Sequence, residues 1–106
     1  VEPEIRLFYV TCPDTSVAQK ISRQLLEEGI IACANILPAM ESLYWWEGKI
    51  TSSQEVVLIL KATTLQTSRL IARVESLHPY NTPCILSLAV ENGSESYIRW
   101  LKGSLF

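Results

Sequence analysis

Charge is scarce in this sequence. Asp, Glu, Lys and Arg supply 19 % of its 106 residues, against about 25 % in an average soluble domain. Nine Lys and Arg face eleven Asp and Glu, for a formal net charge of −2. The clustered cations that displace counterions from phosphate are missing, so no nucleic-acid partner is expected. No apolar run approaches the ~18 residues of a membrane span; the longest clean stretch is Val56–Leu60, and membrane insertion is not expected. The four glycines, at positions 29, 48, 93 and 103, make no phosphate-cradling loop. Three cysteines, Cys12, Cys33 and Cys84, are odd in number and widely spaced. That argues against a secreted disulfide scaffold and for free thiols in a reducing, cytoplasmic setting. No signal-peptide pattern is legible, and a targeting segment removed from ahead of Val1 stays open.

Apolar side chains, by contrast, are plentiful at 48 %. A chain this short has much surface for its volume, so part of that apolar surface is expected to be covered by a partner. Ile5–Thr11 reads as a strand stopped by Pro13, with Asp14 capping a helix whose apolar stripe is Val17, Ala18, Ile21, Leu25 and Leu26. Gly29 closes that helix from the left-handed position. Ile30–Leu37 reads as a buried strand interrupted by Pro38, with extended character again over Glu41–Trp46. A tight turn at Glu47-Gly48-Lys49 leads into Ile50–Lys61. Thr63 or Thr64 caps a second helix with the stripe Leu70, Ile71, Val74 and Leu77, ended by Pro79. Cys84–Val90 is a fourth strand, and the Asn92/Glu95 spacing fits a capping box before a last short helix.

The order β-α-β-β-α-β plus a terminal helix is that of an α+β, ferredoxin-like sandwich in one domain over residues 1–106. Helices cover one sheet face, and strands apolar on both faces leave the other to be covered, most simply by further copies of the chain. Ala32 to Trp46 spans 15 residues, about 50 Å if extended. Either Pro38 bends this strand or the hairpin projects beyond the domain. Trp45 and Trp46 would then lie on its opposite faces, with a neighbouring subunit as their cover.

The topology puts Cys12, Cys84 and His78, the one histidine, at the same end of the sheet, with Cys33 at the other. Two thiols and an imidazole suit copper or zinc with a fourth position open. Equally, the cysteines are buried strand residues and His78 caps carbonyls at a helix end. No nucleophile, base and orienting group stand together in a legible pattern, so no enzyme is expected. Lys61, ending an apolar strand, either attracts an anion or snorkels at an edge.

Several blocks resemble the CutA divalent-cation tolerance proteins: Val10-Thr11-Cys12-Pro13-Asp14, Ala32-Cys33-Ala34-Asn35-Ile36, Leu43-Tyr44-Trp45-Trp46-Glu47-Gly48-Lys49, Ile59-Leu60-Lys61, His78-Pro79-Tyr80 and Tyr97-Ile98-Arg99-Trp100-Leu101. They keep the family's order over nearly the whole chain. The resemblance implies a homotrimer in which long hairpins pair between subunits, a role in copper tolerance, and copper(II) bound near His78; the shared end of the sheet adds Cys12 and Cys84 as expected further donors. No cofactor is implied as obligatory. Where the family has Pro-Glu, this chain has Pro83-Cys84, a thiol in place of a carboxylate. The family's shape also resembles the P-II signalling trimers. A second expectation is therefore an intersubunit cleft for a small anionic ligand, lined by Tyr44, Trp46, Lys61, Tyr80 and Trp100.

Overall fold

The computed structural model describes residues 2–106. Strand β1 (Ile5–Cys12) leads to helix α1 (Thr15–Glu27), strands β2 (Cys33–Trp46) and β3 (Lys49–Thr63), a 3₁₀ turn (Thr64–Gln66), helix α2 (Thr67–Leu77), strand β4 (Ile85–Ala89) and helix α3 (Glu95–Gly103). The four strands form one antiparallel sheet in the order β2-β3-β1-β4, the α+β arrangement read from the sequence. No helix among the described residues is long and apolar enough to cross a membrane.

Alternation along the strands sorts side chains to two faces. Phe8, Val10, Cys12, Val56, Leu58, Leu60 and Ala62 point into one core with Ala18, Ile21 and Leu25 of α1 and Leu70 and Val74 of α2. Each large apolar side chain buried there contributes about 1.5–3 kcal/mol. The helices end where the chain chemistry dictates. Asp14 accepts from the Val17 amide at 2.8 Å, and Gly29 takes φ 72° after α1. The Phe106 amide bonds the Gly29 carbonyl at 3.1 Å, and a Cβ on Gly29 would sit 2.6 Å from the Phe106 ring. The two outer helices are clamped together by Arg73, which donates to both Glu28 carboxylate oxygens.

The long hairpin follows from two local features. Glu47 and Gly48 both have positive φ, 49° and 76°, as a two-residue type I′ turn requires. Further back, Leu37 pairs with Val57 but Met40 with Glu55, so Pro38 and Ala39 together oppose Val56. This is a β-bulge, which bends the strand that carries it. Pro38 has no amide to give the ladder, and Ala39 sits at φ 63°. The strand is therefore bent but not interrupted, and pairing runs on to Trp46↔Lys49. The ribbon lengthens the molecule to 44 × 26 × 23 Å.

Several boundaries differ from the sequence reading: Thr63 caps the 3₁₀ turn, and α2 begins at Thr67 after Gln66 with no side-chain cap. Ile30 and Ile31 are buried but precede β2, in the connection that brings the chain back to the sheet. Strand β4 is shorter than Cys84–Val90 because Cys84 follows Pro83 and only the backbone bond from Val90 to Ile5, 3.3 Å, extends past Ala89. Helix α3 is capped by Ser94, whose Oγ accepts from the Tyr97 amide at 3.5 Å, and not by Asn92.

Candidate functional site

Where the ribbon bends away from the sheet, its inner face and the loop between α2 and β4 enclose a cleft of about 760 Å³. Tyr9 and Thr11 of β1, Met40, Ser42, Tyr44 and Trp46 of β2, Ser53 and Glu55 of β3, and Tyr80 and Cys84 from the loop are among its lining. Register explains the ribbon's contribution. Met40 faces Glu55 and Ser42 faces Ser53, so every second residue out to Trp46 lies on the cleft side. Trp45 therefore lies on the other side, 73 % exposed.

Glu55 stands at the centre of this site. It lies on the sheet face opposite the helices, in step with Val57 and Ile59, yet is only 9 % exposed. The Tyr80 hydroxyl donates to its Oε2 at 3.1 Å. Its Oε1 has no hydrogen-bond donor among the described residues. Burial, then the Glu55 contact, push the Tyr80 phenol up to about 12. The sequence reading passed over Glu55; the signal was a carboxylate opening the apolar run Glu55–Leu60, on a face otherwise occupied by aliphatic side chains.

His78 is buried, and both its ring nitrogens are engaged. The Tyr80 amide donates to Nδ1 at 3.2 Å, so Nδ1 carries no proton and Nε2–H donates to the Thr11 carbonyl at 2.8 Å. The neutral ring thus ties the end of α2 to the end of β1 and holds the loop from which Tyr80 reaches Glu55. The two rings lie with centroids 4.7 Å apart.

The expected metal ligands share a neighbourhood without forming a donor set. Cys12 is fully buried on the helix side of the sheet, while Cys84 lines the cleft on the other side. Burial, with Glu55 next, raises the Cys12 thiol to about 11 and also raises that of Cys84, so both resist becoming thiolates. His78 could offer a lone pair only by surrendering the Tyr80 amide. No group of three or more His, Cys, Asp or Glu among the described residues could hold a metal ion, so the triad His78, Cys12 and Cys84 does not fit one. Cys33 lies at the far end, its Sγ 3.9 Å from Asn35 Oδ1.

The expected aromatic cleft is assembled in part. Tyr44, Trp46 and Tyr80 line it together. Lys61 and Trp100 of the same subunit lie apart from these three: Lys61 is six residues beyond Glu55 on β3, about 20 Å along the strand. The Lys61 ammonium instead donates to the Tyr97 hydroxyl at 3.2 Å, and Trp100 packs beside Tyr97 with ring centroids 5.5 Å apart. The charged residues lining the cleft are Glu41 and Glu55, with no cation among the described residues, which disfavours an anionic ligand.

Comparison with known proteins agrees with this fold. Residues 6–104 match the family model described as CutA1 divalent ion tolerance protein. The divalent-cation tolerance protein CutA of Salmonella newport (strain SL254) is 43 % identical over 103 residues, covering 97 % of this chain and 90 % of that protein. The Cut A1 structure from Thermus thermophilus superposes with a TM-score of 0.93 at 36 % identity, covering 96 % of this chain and 99 % of that one. The structure from Archaeoglobus fulgidus, described as a periplasmic divalent cation tolerance protein, gives 0.91 at 33 % identity over 94 % and 97 %. Family model, relatives and fold converge, and the chain belongs to the CutA1 divalent ion tolerance family.

Proposed function

We propose that the protein serves divalent-cation tolerance as a homotrimer without catalysis, binding copper(II) in the cleft beside His78. The observation that carries the assembly is the apolar surface left bare. Leu86 and Leu88 on the open sheet face are 59 % and 48 % exposed, and Leu43, Trp45 and Ile50 on the outer side of the ribbon are 68 %, 73 % and 69 % exposed. Monomers rarely leave such contiguous patches to water. Light scattering is expected to give about three times the 11.9 kDa chain mass; a stable folded monomer refutes the assembly.

For copper(II), the donors this chain offers on the cleft are the Cys84 thiol and the free oxygen of Glu55. His78 supports the site by holding Tyr80. Calorimetry of the reduced protein is expected to show copper(II) binding weakened in Cys84→Ser and Glu55→Gln and unchanged in Cys12→Ser. Electron paramagnetic resonance of the bound copper should lack nitrogen splitting; nitrogen splitting that disappears in His78→Ala restores the imidazole as a ligand. Three free thiols support a reducing, cytoplasmic setting.

A further inference from the structure

The cleft is unusual in combining aromatic walls with a counter-charge that is almost fully buried. Tyr9, Tyr44, Trp46 and Tyr80 line it. Glu55, 9 % exposed, gives one oxygen to the Tyr80 hydroxyl at 3.1 Å and keeps the other without a donor among the described residues. With one oxygen held by Tyr80 and the other open to an aromatic-walled cleft, this carboxylate attracts positive charge. Among the described residues no Lys or Arg lines the cleft, and Lys61 of the same subunit lies at the other end of β3, beside Tyr97.

The character of the walls narrows the class of cation. Aromatic rings attract positive charge through their quadrupole and bind apolar surface through dispersion. A cation clothed in methyl or methylene groups gains from both and gives up little hydration. A strongly hydrated inorganic ion gains nothing from the rings, and an anion would meet two carboxylates. The volume of about 760 Å³ lies in the ordinary range for small-molecule sites.

We infer that this cleft binds a small organic ammonium ion, with Glu55 as its counter-charge and Tyr44, Trp46 and Tyr80 as its walls. The ammonium ion and copper(II) would share Glu55, but they differ in the rest of the site: the ammonium ion needs the rings, whereas the metal needs the Cys84 thiol.

The test is calorimetric titration of the reduced, assembled protein with tetramethylammonium chloride. Sodium chloride at equal ionic strength is the blank, and tert-butanol the uncharged body of similar size. Saturable binding in the millimolar range is expected for the ammonium ion and none for tert-butanol. Glu55→Gln should weaken binding about tenfold or more, and Trp46→Leu about fivefold. Cys84→Ser should leave it unchanged while weakening copper(II), so the two readings fail separately. Equal binding of tert-butanol, an unchanged constant in Glu55→Gln, or no saturation well above the millimolar range overturns the inference. If circular dichroism shows that Glu55→Gln does not fold, Trp46→Leu decides, because Trp46 is 57 % exposed and carries little of the fold; an unchanged constant there also overturns it.

Discussion

Replacing His78 with Ala should uncouple the loop that carries Tyr80 from the sheet. Two hydrogen bonds disappear, from the Tyr80 amide at 3.2 Å and to the Thr11 carbonyl at 2.8 Å. Thr11 is 9 % exposed, so its carbonyl is left without a partner in a nearly dry place, at a cost of about 1–3 kcal/mol. The released amide faces solvent and forfeits only the net worth of a bond, about 0.5–1.5 kcal/mol. Losing the ring pair at 4.7 Å adds about 0.5–1.5 kcal/mol. The expected total is about 2–6 kcal/mol, measured from urea midpoints at one fixed protein concentration because association shifts apparent stability. A second readout follows the phenol. With its loop loosened, Tyr80 should fall from about 12 toward the ordinary tyrosine value. Ultraviolet titration should then move one of the four tyrosines, as it should not if His78 were packing filler. Stability within about 0.5 kcal/mol of the parent, together with an unchanged phenol titration, refutes the latch.

Alkaline pH should weaken the fold through Cys12. Its thiol rises from 9.0 to about 11 on folding, so the stabilisation is full below pH 9, is lost as pH climbs through about 11, and amounts to about 2–3 kcal/mol; Cys12→Ala should flatten the urea midpoint across that window. At the acid end, hydrogen bonds from Arg73 hold the Glu28 carboxyl down at about 2 against 4.5. The stability advantage over Arg73→Ala should therefore be present above pH 4.5 and vanish as pH falls toward 2, which an acid series of midpoints checks. Gly29→Ala should cost about 1–2 kcal/mol for φ 72° alone, and more for the 2.6 Å approach to Phe106; deleting Phe106 in that background should recover the excess and leave the backbone cost.

The fold was legible because its signals are local. Asp14, Gly29 and the Glu47-Gly48 turn each act within a few residues, and alternating or helical apolar patterns fill the spans between them. The site was less so. That Cys12, Cys84 and His78 share one end of the sheet follows from strand order. Which side of the sheet each thiol takes, and which neighbours already hold the imidazole, depends on contacts between residues far apart in sequence. The bond from His78 to Thr11 spans 67 positions. Glu55 went unnoticed for a related reason: one carboxylate at the start of an apolar strand looks like a solvated edge until the ribbon and loop close over it.

The bulge at Pro38–Ala39 reconciles two strands of unequal count. Ten residue steps separate Ile36 from Trp46 on β2, while nine separate Lys49 from Leu58 on β3. The core dictates one end of this ladder and the turn dictates the other, so the surplus residue has to be stored between them. Storing it there leaves both registers intact and converts the mismatch into curvature. Deleting Ala39 would equalise the count: each side chain from Met40 to Trp46 would keep its side, but the ribbon would straighten. The cleft would then open without the loss of any residue that lines it. The shape of the site thus rests on a difference in length, and a neighbour lying against the ribbon would register that difference as an angle.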